Sequence, residues 1–209
     1  MATARENILK KIKQALVTKV PVPFSTHKET TELFQPSQKE LEIEFAEHFT
    51  SLQGRFSFCA NQQELAEQLT QLFANRKWEK IYCIDSQIQQ LFSANGISLP
   101  SYKDLATCDV SITGCEILVA RTGSMFLSNA SSSGRTTSVY APIHICIAKT
   151  SQLVYSLEQA LVKLTDKYGN QLPSMLSLAT GPSRTADIEK TLVVGVHGPK
   201  EVYCFLIDE

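Results

Sequence analysis

Three short loops combine glycine with hydroxyl or guanidinium side chains, which are the groups that bind small anions. The first is Arg121-Thr-Gly-Ser124, which follows the apolar run 117–120. Thr122 and Ser124 supply hydroxyls, and Gly123 can adopt a positive φ angle that exposes backbone N–H groups. A tight turn with polar surface side chains accounts for the same residues, so ligand contact and a plain turn both stay open.

The second loop, 131–137, contains three serines, two threonines, Gly134 and Arg135. Hydroxyls beside a guanidinium can hold a phosphate or a carboxylate. The loop does not match the G-x-x-x-x-G-K-[ST] pattern of a P-loop. The alternative is a solvated loop with no ligand.

The third loop, 181–189, follows a predicted strand at 176–180. Its order of residues predicts the start of a helix, because Ser183 or Thr185 can act as N-cap and Asp187 falls in the first turn. A glycine turn that leads into a helix N-terminus is a common anion site.

Gly181 and Arg184 would complete that site, the glycine by allowing close approach of the backbone and the arginine by its charge. The chain continues to the segment 194–199, where His197 lies beside Gly-Pro at a predicted strand end. A histidine in that position can contact a ligand or transfer a proton. His144 lies inside an apolar run instead, so we predict a hydrogen-bonded core histidine there.

The elements that must position these loops alternate between short apolar runs and amphipathic helices. The runs predict strands at 56–59, 81–84, 116–120, 124–128, 143–148, 176–180, 192–196 and 202–207. Strands that alternate with helices indicate an α/β domain with a mainly parallel sheet. Two stretches, 112–128 and 192–207, have only turns between their strands, so part of the sheet is predicted to be antiparallel or mixed.

The N-terminal quarter has a different pattern. Residues 4–17 form an amphipathic helix, and residues 20–37 are polar with three prolines. A second amphipathic helix ends at Gly54. We therefore predict N-terminal helices and a proline-containing strap over 1–54, and an α/β domain over 55–209.

Composition excludes several classes of protein. The 209 residues include 20 Lys+Arg and 21 Asp+Glu, a net charge of −1, which excludes a nucleic-acid binder that relies on basic charge. No stretch approaches the ~18 apolar residues of a membrane span, and a secretion signal is absent, so we expect a cytoplasmic protein. Six cysteines without a C-x-x-C pair and four histidines without metal-ligand spacing predict buried free thiols and no bound metal or cofactor.

Several segments resemble a known family. Residues 181–189, followed by Gly195-Val-His-Gly-Pro199, resemble the C-terminal signature of the LutC/YkgG group of lactate-utilisation (LUD-domain) proteins. The Arg121-Thr-Gly-Ser124 loop is similar to that family's E-T-G-[ST] segment, and Ala141-Pro-Ile-His144 is similar to its P-x-H-[IV] strand entry. The resemblance covers roughly residues 55–207.

The resemblance implies a fold similar to the NagB/RpiA/CoA-transferase superfamily and related to 5-formyltetrahydrofolate cyclo-ligase. It also implies a clusterless accessory subunit in bacterial oxidation of L-lactate to pyruvate. Iron–sulfur clusters would be carried by partner proteins. What the clusterless subunit does chemically does not follow from the resemblance; from the residues, we expect the loops at 122–124, 131–137 and 181–187 to bind a small carboxylate or phosphate-bearing ligand. Arg121 stands where the family often has glutamate, so any acid–base role of that glutamate is missing here.

Two other functions stay open. A stand-alone enzyme of the CoA-transferase or cyclo-ligase type would need an activated nucleophile, and neither Glu116 nor Glu189 has a local context that identifies it as one. A binding module without catalysis is the third interpretation. The N-terminal helix is available to a partner or to a second copy of the chain, so a homo-oligomer is compatible with each.

Overall fold

The structure is a computed structural model that describes residues 3–17, 39–99, 102–188 and 191–209. Contacts divide the chain into two units, Met1–Pro36 and Ser37–Glu209. The helix of the first unit, α1 (Ala4–Val17), has the bounds that the sequence predicts. Its N-terminus is capped because Thr3 N donates to Glu6 Oε2 over 2.7 Å and Glu6 N donates back to Thr3 Oγ1 over 3.3 Å.

A five-stranded parallel sheet forms the centre of the second unit. Its strands are β1 (Arg55–Cys59), β2 (Ile81–Tyr82), β3 (Val110–Thr113), β6 (Ile143–Lys149) and β11 (Glu201–Ile207). Their order is β1-β11-β6-β3-β2, and every neighbouring pair is parallel. All five strands therefore end at the same edge of the sheet, which we call the carboxyl edge, and begin at the opposite amino edge.

A second, mixed sheet and a hairpin complete the strands. The mixed sheet has the order β7-β4-β5-β8 and consists of β4 (Ile117–Val119), β5 (Ser124–Ser128), β7 (Leu153–Val154) and β8 (Leu176–Ala179). Only the β4–β7 pair of this sheet is parallel. The hairpin is antiparallel and consists of β9 (Arg184–Ile188) and β10 (Thr191–Val194).

Helices cover both sheets. They are α2 (Leu41–Ser51), α3 (Gln62–Arg76), α4 (Ser86–Ala94), α5 (Thr137–Tyr140) and α6 (Leu157–Tyr168). Short 3₁₀ turns lie at Leu105–Thr107, Ala120–Thr122 and Thr150–Gln152.

The period-2 alternation of β11 shows how the layers meet. Tyr203 and Phe205 pack in one cluster with residues of α3 and α4, whereas Cys204 and Leu206 pack in another with α2 and the mixed sheet. The central sheet is buried on both faces, as expected for parallel strands. The far side of the mixed sheet is covered by α6, through Ala160 and Leu164. The predicted α/β fold with a mixed sheet and flanking helices is confirmed.

The sequence grouped α2 with the N-terminal segment 1–54, but in the structure this helix belongs to the second unit. The reason is burial: Phe45 and Phe49 are both 0 % exposed and stack on each other with ring centroids 5.4 Å apart. A helix that contributes two fully buried aromatic rings to a core cannot be separated from that core.

All eight predicted strands are present, but the predicted helix after Gly181 is wrong. Arg184–Ile188 is strand β9 instead, with Arg184 opposite Val194 and Thr185 opposite Val193. Local capping signals at Ser183 and Thr185 predicted the helix. Pairing with the β-branched run at β10 overrides them, since strand formation depends on the neighbouring strand more than on local preference.

The cysteine prediction is confirmed: all six are free thiols, five are buried and Cys115 is partly buried. Within the described ranges, no group of three or more His, Cys, Asp or Glu side chains is arranged to hold a metal ion. None of the helices described is long and apolar enough to cross a membrane.

Candidate functional site

The carboxyl edge of the five-stranded sheet opens into a groove of about 940 Å³. We call it the carboxyl-edge groove, and it is lined mainly by Asp85–Ile88, Gln90, Leu91, Gly114–Glu116, Ala130–Ser132, Ile147–Lys149, Gln152, Lys167 and Tyr168. Open α/β sheets bind their ligands at this edge, where loops from several strands converge. The lining is polar on the loop side and apolar where strand ends form the floor.

Glu116 is the central carboxylate of this groove, and its side chain is only 7 % exposed. Its Oε2 accepts a hydrogen bond from Lys167 Nζ over 2.7 Å, and its Oε1 accepts one from the Tyr168 hydroxyl over 2.8 Å. Ser128 Oγ donates to Oε1 as well. Three donors on one carboxylate hold it in a single orientation.

These donors also decide the charge of Glu116. Burial raises the pKa of its carboxyl, but hydrogen bonds from Lys167, Ser128 and Tyr168 outweigh burial and hold the pKa below its ordinary value. The same contact raises the pKa of Lys167. The groove therefore contains a fixed ion pair at neutral pH, with the Lys167 side chain 59 % exposed towards solvent.

A second ammonium also lines the groove. Lys149 Nζ is 2.7 Å from Glu209 Oε2, and the Lys149 side chain is 48 % exposed. Gln152 fixes the backbone here, because its Oε1 accepts from Lys149 N over 2.8 Å and its Nε2 donates to Cys115 O over 2.6 Å. Two partly exposed ammonium groups thus line the groove.

The N-terminus of α4 also lines the groove, but its own N-cap occupies it. Asp85 Oδ1 accepts from the backbone N–H groups of Gln87 and Ile88 over 3.0 and 3.3 Å. The Asp85 side chain is buried, and its Oδ2 also accepts a hydrogen bond from Ser133 Oγ over 3.5 Å. Because a carboxylate already satisfies these N–H groups, the helix end is not an anion site.

One of the predicted loops lies at this edge. Ser131 lines the groove, and Gly134 closes the turn by donating its N–H to Ser131 O over 3.1 Å. Arg135 is exposed and donates from Nη2 to Ser174 Oγ over 2.5 Å, so its guanidinium braces the loop against a neighbouring one. The loop 131–137 is therefore next to the groove, with its serines nearer the groove than its arginine.

The Thr122–Ser124 loop lies elsewhere, against α2. Gly123 has φ +58°, and a Cβ added to it would meet Phe49 N at 2.4 Å, so only glycine fits this contact. Ser124 is 1 % exposed, and its Oγ lies 2.6 Å from Thr180 Oγ1. Thr122 is partly buried. These residues form a packed turn rather than an open cradle.

The Gly181–Thr185 segment lies at the amino edge, opposite the groove. Arg184 Nη2 donates to Leu52 O at the C-terminus of α2, where a cation offsets the partial negative charge of the helix end. Ser183 N donates to Pro199 O over 3.0 Å, and Lys200 N donates to Pro142 O over 2.7 Å. Leu52 precedes β1 and Pro199 precedes β11, so these two contacts place the segment at the amino edge of the five-stranded sheet.

The remaining predicted site residues lie away from the carboxyl-edge groove. Thr185 and Asp187 lie on β9, with the side chain of Asp187 outside the described part of the structure. His197 is exposed in the turn between β10 and β11. The structure thus brings Thr122–Ser124 and Gly181 together beside α2, and places Gly134 and Arg135 at the other edge.

His144 is the core histidine that the sequence predicts. It is 1 % exposed, and its Nε2 lies 2.8 Å from Thr113 Oγ1 on the neighbouring strand. Burial lowers the pKa of its imidazole to about 4, so the ring is neutral at physiological pH. Its role is structural.

Sequence reasoning missed most of the groove. The sequence pointed to Glu116, but not to the side chains that donate hydrogen bonds to it, Ser128, Lys167 and Tyr168. It also did not single out Asp85 and Lys149, which line the groove. Asp85 carries a detectable signal, because it directly follows the predicted strand at 81–84. Glu116 follows β3, which the sequence did not predict, and it stands at the start of the predicted strand 116–120. Lys167 and Tyr168 end a helix and carry no local signal.

Comparison with known proteins identifies the family. The LUD domain family model matches residues 43–207. Among the curated relatives, Lactate utilization protein C of Oceanobacillus iheyensis is 38% identical over 102 residues, 48% of this chain and 44% of that protein. Lactate utilization protein C of Shouchella clausii is 35% identical over 116 residues, 55% of this chain and 51% of that protein.

A third relative, from Neisseria meningitidis, is 31% identical over 125 residues, 59% of this chain and 52% of that protein. The matched segments span about half the length of these curated relatives. A crystal structure of a DUF162 family protein from Deinococcus radiodurans has the same fold, with a TM-score of 0.60 at 17% identity, covering 83% of this chain and 99% of that one. The chain belongs to the LUD domain family.

Proposed function

We propose that this protein takes part in lactate utilisation as a clusterless component, and that its carboxyl-edge groove binds a small carboxylate such as lactate or pyruvate. The relatives named Lactate utilization protein C support the process. The observation that carries the ligand site is the position of the groove, at the end of five parallel strands.

The groove has the charge that a small carboxylate needs. Lys149 and Lys167 present partly exposed ammonium groups, and each keeps one carboxylate partner at 2.7 Å. An ammonium has three donors, so each lysine can retain its partner and still donate to a ligand. The hydroxyl of Ser132 lines the groove and can donate to the hydroxyl or keto oxygen of the ligand.

The chemistry of lactate oxidation supports a binding role. Converting lactate to pyruvate removes two electrons and two protons, and the electrons need an acceptor. In this proposal iron–sulfur clusters on partner proteins accept them, and this chain binds the carboxylate and contacts the cluster-bearing partner. No metal or cofactor on this chain is required for that role.

The CoA-transferase alternative would use Glu116 as its nucleophile, because this carboxylate lines the groove. Its two oxygens already accept from Lys167, Tyr168 and Ser128, which lowers its basicity. A carboxylate held in this way is better suited to orienting Lys167 than to attacking an acyl group. The contacts therefore favour binding over covalent catalysis.

Calorimetric titration with lactate and with pyruvate tests the proposal. Gln90→Glu adds a negative charge to the lining of the groove, and Gln71→Glu adds the same charge at an exposed position of α3 that does not line it. A like charge at short range in a partly solvated site costs about 1 kcal/mol, or roughly fivefold in affinity. We expect this loss for Gln90→Glu and unchanged binding for Gln71→Glu.

The Arg184→Ala variant distinguishes a binding site at the carboxyl edge from one at the amino edge of the sheet. Because Arg184 is bound to Leu52 O at the amino edge, its removal should cost roughly 1 kcal/mol of stability and leave the affinity for the carboxylate unchanged. Weaker binding in Arg184→Ala with normal binding in Gln90→Glu would move the site to the amino edge. Absence of binding to the wild-type protein would reject the ligand proposal.

A further inference from the structure

A second groove lies away from the first, between α2 and the edge strand β1. We call it the acidic groove, and it has a volume of about 610 Å³. It is lined by Glu40, Glu42, Ile43, Ala46, Glu47, Phe56, Phe58 and Asp208. Its floor is apolar, with Ile43 49 % and Phe58 43 % exposed. Large apolar side chains exposed side by side indicate an interaction surface.

Carboxylates surround this apolar floor on both sides. Glu40, Glu42 and Glu47 project from α2 and its N-cap, and Asp208 comes just after β11. One of the four, Glu47, is paired with Lys39 over 2.6 Å. The rim therefore remains negative overall, which favours a basic partner.

Helix α1 has the complementary chemistry. Ile8, Leu9 and Ile12 lie on one side of it at helical spacing and are 59 %, 48 % and 49 % exposed. The helix also carries Arg5 and three lysines against a single acidic residue. A basic amphipathic helix is the kind of element that fills an apolar groove with an acidic rim.

We propose that the acidic groove of one copy of this protein binds helix α1 of a second copy. Reciprocal exchange would fill two grooves with two helices and give a closed dimer with twofold symmetry. The apolar faces supply the contact area, and the opposite charges of the helix and the rim fix the partner and the orientation.

The proposal is tested with two charge-reversed versions of the full chain. The helix variant carries Lys10→Glu and Lys13→Glu, and the groove variant carries Glu42→Lys and Asp208→Lys. A control matched to the groove variant, Glu67→Lys with Glu79→Lys, makes the same change of net charge at exposed residues outside the acidic groove. Sedimentation equilibrium measures the mass of each protein, and circular dichroism checks that each is folded.

We expect the wild type and the control to form dimers, and each of the two variants to dimerise at least tenfold more weakly. An equimolar mixture of the two variants should dimerise again, because every helix then meets a groove of opposite charge. A monomeric wild-type protein would overturn the proposal. So would dimers unaffected by either reversal, or variants that do not recover on mixing.

Discussion

Replacing Gly123 with alanine is expected to lower the free energy of unfolding by about 3–5 kcal/mol. Two costs add at this residue. Its φ of +58° is strained for any residue with a Cβ, which costs about 1–3 kcal/mol. The new Cβ would also lie 2.4 Å from Phe49 N and 2.7 Å from the carbonyl carbon of His48, so backbone must move in a packed interface.

Gly134→Ala is the matched control for this prediction. Gly134 has φ +72°, but a Cβ there would meet nothing within 4 Å. This substitution should cost only the backbone strain, about 1 kcal/mol. Urea unfolding of both variants measures the difference, and equal costs would show that the contact between the Thr122–Ser124 turn and α2 is not as close as described.

Stability is expected to fall by about 2 kcal/mol between pH 7 and pH 5 because of His144. In the folded state burial lowers the pKa of its imidazole to about 4, whereas in the unfolded chain the pKa is near 6.5. Between these values the unfolded chain binds a proton and the folded protein does not. Acid therefore favours unfolding, and the effect is absent above the unfolded pKa.

His144→Gln should remove this pH dependence while keeping an amide that can hydrogen-bond Thr113. His197→Gln is the control, since that side chain is exposed. Urea unfolding at pH 7, 6 and 5 gives the slope for each protein. A wild-type slope that persists in His144→Gln would assign the titration to another group.

The elements of this fold follow closely from local patterns. Alternation along β11 is visible in the sequence, and this strand forms where it is predicted. The helix predicted at the position of β9 is wrong for a physical reason. Ser183, Thr185 and Asp187 favour the start of a helix, but β10 pairs with this segment as a strand. The local preference for helix is therefore overridden by β10, a strand that lies further along the chain.

The site depends on information that single segments do not contain. The order β1-β11-β6-β3-β2 determines which loops meet, and nothing in the individual runs specifies it. The segments 131–137 and 181–185 both combine glycine, serine, arginine and threonine, yet only the first lies at the carboxyl edge. Glu116 follows β3, a strand that the sequence did not predict, and its contact with Lys167 joins segments 51 residues apart.

The most direct test of the carboxylate site is a crystal structure of the full chain grown with pyruvate at a concentration that saturates binding in solution. The carboxyl-edge groove should then contain difference density for pyruvate, with its carboxylate within hydrogen-bond distance of Lys149 or Lys167. Pyruvate beside Arg184 and His197 at the amino edge, or a groove that contains no pyruvate at that concentration, would contradict the proposed site.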